Sequence, residues 1–311
     1  MKNILIEASI ETLKETIRLK PNFAEAHCSL GLIYSKTGDY QNAIACFKTA
    51  IRLKPDYADA HCNLGFVYEK TGDYQAAIEC FEKTKRIQPD YVDAHCGFGL
   101  IYGNTGDHQK EIECFKEAIR LKPDYAIAHY NLGVAYWKTG DYQAEMACYK
   151  EAIRLKPDYV LAHLGLGMAY GKAGDLRAAL ACLKEAARLE PDDAEALCNL
   201  GRMYGEAGEY QKAMEYFEKT IRLKPAYAEA HNNLGFMYGK IGEHQKAIEC
   251  YEEAIYIDPE LAIAHYNLGV AYEAIGEPQK ALACYKEALR IQPDYPEARD
   301  KLGKSGKVSP D

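Results

Sequence analysis

The sequence predicts an all-α protein, a solenoid of stacked helical hairpins, and three observations carry that prediction. The first is a fixed period: Pro21, Pro55, Pro89, Pro123, Pro157, Pro191, Pro225, Pro259 and Pro293 recur every 34 residues without insertion or deletion. Self-similarity at this spacing marks a repeat array, in which each segment buries its apolar faces against the next. The second is helical patterning inside each period. In segment 58–91, His61, Leu64, Gly65 and Tyr68 fall at i, i+3, i+4 and i+7, and Ala77, Ile78, Phe81 and Thr84 form a second stripe. The third is the punctuation around those stripes. Gly72 suits the left-handed residue that ends one helix, Asp73 suits the N-cap of the next, and Pro89 stops it.

These residues resemble the tetratricopeptide repeat, whose 34-residue pattern reads Trp-x2-Leu-Gly-x2-Tyr…Ala-x3-Phe…Pro. With Leu64-Gly65 as positions 7 and 8 and Pro89 as position 32, eight complete repeats run from 24 to 295. They are 24–57, 58–91, 92–125, 126–159, 160–193, 194–227, 228–261 and 262–295. Position 11 is tyrosine throughout, from Tyr34 to Tyr272; position 4 is histidine in place of the family's tryptophan, except for Leu197. The resemblance implies a right-handed superhelical solenoid forming one array over 1–311. Its function would be that of a binding scaffold, since the fold itself specifies no chemistry.

Taken in order, residues 1–23 match the second half of a repeat, with Ile10, Leu13, Ile17 and Pro21 in the positions of Ile44, Phe47, Ile51 and Pro55. The first three repeats share His-Cys at positions 4 and 5 (His27-Cys28, His61-Cys62, His95-Cys96). Neighbouring helix residues point about 100° apart, so each pair reads as a packed histidine beside a small cysteine, not a metal site. The third and fourth repeats place Glu111 and Glu145 at position 20, where six repeats have alanine. A carboxylate at so close a helix contact is expected to snorkel outward with slight helix separation; the alternative is a strained or working site. Residues 296–311 start a further first helix with Arg299, Leu302 and Gly303, then become irregular from Lys304. The last hairpin, around Tyr285 and Leu289, is expected to expose an apolar flank.

Composition narrows the function. The net charge of −8 argues against nucleic acid, which requires a basic face. No apolar run reaches the length of a membrane span, and Met1–Glu15 lacks the order of a signal peptide. Of the 11 cysteines, those outside position 5 (Cys28, Cys62, Cys96, Cys198) sit at position 23, from Cys46 to Cys284. Equivalent positions on packed helices lie on axes about 8–10 Å apart, beyond the roughly 7 Å Cα limit of a disulfide. They read as reduced packing residues of a cytoplasmic protein. No phosphate loop, nucleophile constellation or metal spacing is present, so no enzymatic activity and no cofactor are expected.

The resemblance also implies that the first helices line a concave groove, with positions 2, 5, 6, 9, 12 and 13 facing it. Position 2 is acidic at Glu25, Asp59, Asp93, Glu195 and Glu229, either to serve helix starts or to favour basic ligand segments. The fourth and fifth repeats are apolar there instead. Ile127, Tyr130, Val134, Trp137, Leu161, Leu164 and Met168 are expected to form the centre of a peptide site. Asn131, Asn199, Asn233 and Asn267 at position 6 would hold ligand backbone through amides that both donate and accept. That spacing is similar to the asparagine ladder of O-linked N-acetylglucosamine transferases, broken here by Ser29, Gly97 and Gly165. The lysine and asparagine of the family's carboxylate clamp are absent from positions 5 and 9. The expected function is thus a protein-interaction scaffold with a protein or peptide partner in the groove. Two alternatives stay open: the substrate-recruiting arm of a larger enzyme such as a glycosyltransferase, and a structural module that self-associates end to end.

Overall fold

The computed structural model describes residues 2–305, and every regular element among them is an α-helix. Helix α1 (Lys2–Leu19) precedes eight hairpins, one per 34-residue segment. The first four are α2 (Ala24–Lys36) with α3 (Tyr40–Leu53), α4 (Ala58–Thr71) with α5 (Tyr74–Ile87), α6 (Val92–Thr105) with α7 (His108–Leu121), and α8 (Ala126–Thr139) with α9 (Tyr142–Leu155). Then come α10 (Val160–Lys172) with α11 (Leu176–Leu189), α12 (Ala194–Glu206) with α13 (Tyr210–Leu223), α14 (Ala228–Lys240) with α15 (His244–Ile257), and α16 (Ala262–Ala274) with α17 (Pro278–Ile291). Helix α18 (Pro296–Ser305) ends the described chain. Lys304 and Ser305, expected to be irregular, continue this helix. The rest of the expected tail, residues 306–311, lies outside the described residues.

The helices group into two compact halves, Met1–Pro157 and Asp158–Asp311. Each has its own core. In the N-terminal half, Phe47, Phe81 and Phe115 are fully buried among Ala43, Leu64, Ile101 and Leu132. In the C-terminal half, Leu183, Leu200 and Phe217 form one cluster and Tyr251 with Leu268 another.

Local chemistry explains the hairpin. At position 8 a side chain would collide with the aromatic of the paired helix: a Cβ on Gly65 would sit 2.7 Å from the Phe81 ring. Glycine there lets the two backbones close onto that ring. The interhelix glycine at position 15 adopts φ between 77 and 84° in all eight hairpins, a conformation that costs other residues energy. In the first five hairpins the next residue is an aspartate (Asp39, Asp73, Asp107, Asp141, Asp175) whose carboxylate accepts from a backbone N–H of the first turn. The last three use Glu209, Glu243 and Glu277, and none of these makes a side-chain cap.

The position-4 histidines have a structural partner. His61 Nε2 donates to the Pro55 carbonyl at 2.9 Å, and His27, His129, His231 and His265 repeat this bond at 2.9–3.0 Å. In these five repeats histidine thus ties the first helix to the proline turn before it. Tyr285 departs from expectation: it is fully buried, with its hydroxyl donating to Glu273 at 2.9 Å and Lys301 of α18 over its ring.

Candidate functional site

The expected apolar residues fall into separate environments. On α8, Ile127 and Trp137 are exposed, while Tyr130, Asn131 and Val134 are half-buried and the Tyr130 ring packs 5.7 Å from that of Tyr149. On α10, Leu161 is exposed and Met168 is half-buried. Leu164, expected at the centre of the site, is instead 7 % exposed and belongs to the core with Ala179 and Leu183. The reason is general. Cys28, Cys62, Cys96, Cys198 and Asn232 occupy the same position 5 and are also buried, so this position turns inward more than expected.

In the C-terminal half, α12, α14 and α16 enclose a cavity of about 470 Å³ whose lining includes Arg202, Asn233, Phe236, Lys240, Ile263 and Asn267. Phe236 and Ile263 are 42 % and 45 % exposed. Two of the expected asparagines meet here, and Asn232 knits them together. Asn267 Nδ2 donates to Asn232 Oδ1 at 3.0 Å, and Asn232 Nδ2 donates to Asn233 Oδ1 at 3.4 Å. Asn199, although half-buried on α12, does not line the cavity. Arg202 donates from Nη2 to the Met168 sulfur at 2.8 Å, and its buried Nε has no hydrogen-bond partner. Neither Arg202 nor Lys240 forms an ion pair among the described residues; Lys240 lies 4.9 Å from the Phe236 ring centroid. Reading by position missed Arg202, Phe236 and Lys240: position 9 changes from repeat to repeat, and lysine at position 13 is shared by five repeats and so singles none of them out.

The acidic ring is partly committed to structure. Tyr91 and Tyr125 donate their hydroxyls to Asp59 and Asp93, each at 2.5 Å, and Glu25 pairs with Lys54 at 3.3 Å. These carboxylates are less available to basic ligands than their sequence positions imply.

Glu111 also departs from expectation. It does not snorkel outward; it is 2 % exposed. Its carboxylate takes Lys138 Nζ at 2.8 Å and His108 Nδ1 at 2.9 Å. Gly103 makes room, since a Cβ there would lie 2.4 Å from Glu111 Oε1. Glu145 is likewise buried. A buried carboxylate needs such partners to offset its lost hydration.

The α15–α16 junction has the same frame with different contents. His244, Gly239, Ala247 and Ala274 occupy the positions of His108, Gly103, Glu111 and Lys138. With the two alanines, a cavity of about 270 Å³ remains, bordered also by Lys240 and Val270.

Helical hairpins stacked in register, each first helix presenting variable side chains, define a repeat scaffold for protein interaction. Sequence profiles described as TPR repeat match residues 6–38, 33–72 and 107–140, and others described as tetratricopeptide repeat match 58–91, 126–159, 164–228 and 226–294. The chain belongs to the tetratricopeptide repeat family. No curated protein matches it by sequence. Among solved structures, it is similar to a chain of the APC/C hetero-tetramer Cut9–Hcn1 at 19 % identity and TM-score 0.70, covering 89 % of this chain and 55 % of that one. PilF of Pseudomonas aeruginosa aligns at 20 % identity and TM-score 0.60, over 68 % of this chain and 97 % of that one. MamA aligns at 31 % identity and TM-score 0.47, over 60 % and 96 %. The chain spans little more than half the length of the Cut9–Hcn1 chain. The first two likenesses carry the fold alone. No helix among the described residues is long and apolar enough to cross a membrane.

Proposed function

We propose that this protein is a non-enzymatic interaction scaffold whose C-terminal half holds an extended segment of a partner protein along α12, α14 and α16. The observation that carries this reading is the cavity of about 470 Å³ on those helices. It joins exposed Phe236 and Ile263 to the Asn233 and Asn267 amides and to two cations without ion pairs. Apolar anchors bordered by donors and acceptors suit a peptide, because side chains fill the pockets while amides meet the backbone. The asparagine chain leaves the Asn267 carbonyl oxygen able to accept from a ligand N–H.

The test begins with twelve-residue peptides selected from a displayed library against the full chain. Phe236→Ala with Ile263→Ala should weaken the selected peptides by more than about thirtyfold, the equivalent of a single central anchor of about 2 kcal/mol. Asn267→Ala should cost about fivefold. Unchanged affinity in the double variant sinks the groove reading. A second face is proposed on α8, where Trp137 is 48 % exposed and Ile127, nearer the start of the helix, is exposed too. Loss of binding in Trp137→Ala, with the Phe236/Ile263 variant unaffected, would move the site there.

A further inference from the structure

The α15–α16 cavity has an internal counterpart that reports what it accepts. At α7–α8 the same frame is occupied by a carboxylate: Glu111 reaches between the helices to His108 and Lys138. At α15–α16 the histidine is retained as His244 and the glycine as Gly239, while the carboxylate and its lysine are both replaced by alanine. The walls are otherwise nearly the same. Ala126–Tyr136 of α8 is repeated letter for letter as Ala262–Tyr272 of α16, and Tyr130 on Tyr149 is matched by Tyr266 on Tyr285 (centroids 5.7 and 5.8 Å apart).

From this pairing we infer that the α15–α16 junction is a socket for a glutamate side chain of the partner segment, taking from outside the group that Glu111 supplies from within. The inference rests on the groove reading above, for the socket adjoins that groove: Phe236, Lys240 and Asn267 border both cavities.

Charge agrees with this occupant. Among the described residues bordering the socket, Lys240 and His244 are the ionisable groups that can meet an anion, and none is a carboxylate. Neither side chain is engaged by an acid: Lys240 forms no ion pair and the His244 imidazole makes no hydrogen bond among the described residues. The acids nearest in sequence are occupied. Glu243 pairs with Lys246 at 3.4 Å, and Glu273 accepts from Tyr285 and pairs with Lys301. The remaining wall, with Val270, Ala271 and Ala274 against Tyr251, suits the methylenes of the incoming side chain. An apolar residue would fill that wall but leave Lys240 and His244 without an acceptor. An acidic side chain satisfies both surfaces.

The experiment uses the full chain and the library-selected peptides. A glutamate should recur at one register in them, and its replacement by glutamine in the synthetic peptide should weaken binding at least tenfold. That penalty should disappear in Lys240→Ala with His244→Ala. Rebuilding the internal pair, as Ala247→Glu with Ala274→Lys, should fill the socket and weaken the glutamate peptide to the level of its glutamine form. The glutamine peptide needs no altered protein, so the socket is tested even if the rebuilt variant fails to fold. Peptides with no recurrent acid, or glutamine peptides that bind as tightly, overturn the socket. If Phe236→Ala with Ile263→Ala still abolishes binding in that case, the groove stands without it. If neither change matters, or the library yields no binder, both readings fall.

Discussion

The α7–α8 and α15–α16 junctions are built from nearly one sequence and have opposite interiors. His108–Ile119 and His244–Ile255 differ only at positions 20, 24 and 25, and the facing helices begin with the same run from alanine to tyrosine. One junction buries Glu111 under Lys138; the other holds a cavity of about 270 Å³. The backbone frame is therefore indifferent to the choice. Proline turn, histidine latch and position-8 glycine set the hairpin, while two positions set whether the space between repeats is filled. A repeat protein can thus alter a binding surface locally without disturbing its stacking.

The strongest way to break this comparison is to empty the filled junction. Glu111→Ala should destabilise the chain by about 2 kcal/mol, read as a lower urea midpoint. The cost is placed below the range for fully buried pairs because Lys138 is 26 % exposed and can turn outward. Removing both partners should cost less than the sum of the single changes by about 1–3 kcal/mol. Additive losses would show that the ion pair contributes nothing as a unit.

A smaller effect should change sign between the junctions. A Cβ on Gly103 would lie 2.4 Å from Glu111 Oε1 and 2.8 Å from Lys138 Nζ. Gly103→Ala must dislodge this half-buried ion pair, at about 1 kcal/mol net. A Cβ on Gly239 would meet nothing closer than the Tyr251 hydroxyl at 3.9 Å. Gly239→Ala should therefore stabilise the chain by about 0.5–1 kcal/mol, read as a higher urea midpoint, through lower unfolded-state entropy and better helix propensity. Loss at both sites would mean that the α15–α16 junction is more tightly filled than its geometry indicates.

The smallest expected difference is none at all. Cys114 and Cys250 occupy position 23 of the two second helices, and burial pushes both thiols up to about 11. Raised values mean little thiolate at pH 8, so a thiol reagent should label both slowly and equally, with rates climbing only toward pH 11. Faster labelling of Cys250 would reveal that the open junction breathes.

The fold was legible because each repeat restates it. The proline period, the Leu-Gly pair and the interhelix glycine are local rules applied in register, so each occurrence supports the others. The site was less legible for a matching reason. Glu111 looked misplaced when its repeat was read alone, since its partner Lys138 lies 27 residues on, in the next repeat. Leu164 looked exposed because position 5 was assigned by analogy to the inner surface; the buried cysteines at that position were the available signal. That Asn233 and Asn267 share one face of successive first helices was legible from their spacing. Arg202 was not, because position 9 varies from repeat to repeat; Lys240 was not, because a lysine at position 13 is shared by five repeats and gains meaning only from the cavity that it borders.

The capping pattern has a consequence for how the array yields. A first turn capped by aspartate is held by about 1 kcal/mol that the glutamate turns of α13, α15 and α17 lack. Those turns precede the helices that pack on α14, α16 and α18, so local unfolding is easiest beside the proposed groove. The chain carries a gradient of latches: firm through the first five hairpins, looser over the last three. An arriving segment would therefore meet walls that can part by a turn and close again, at little cost to the hairpins on the firmer side.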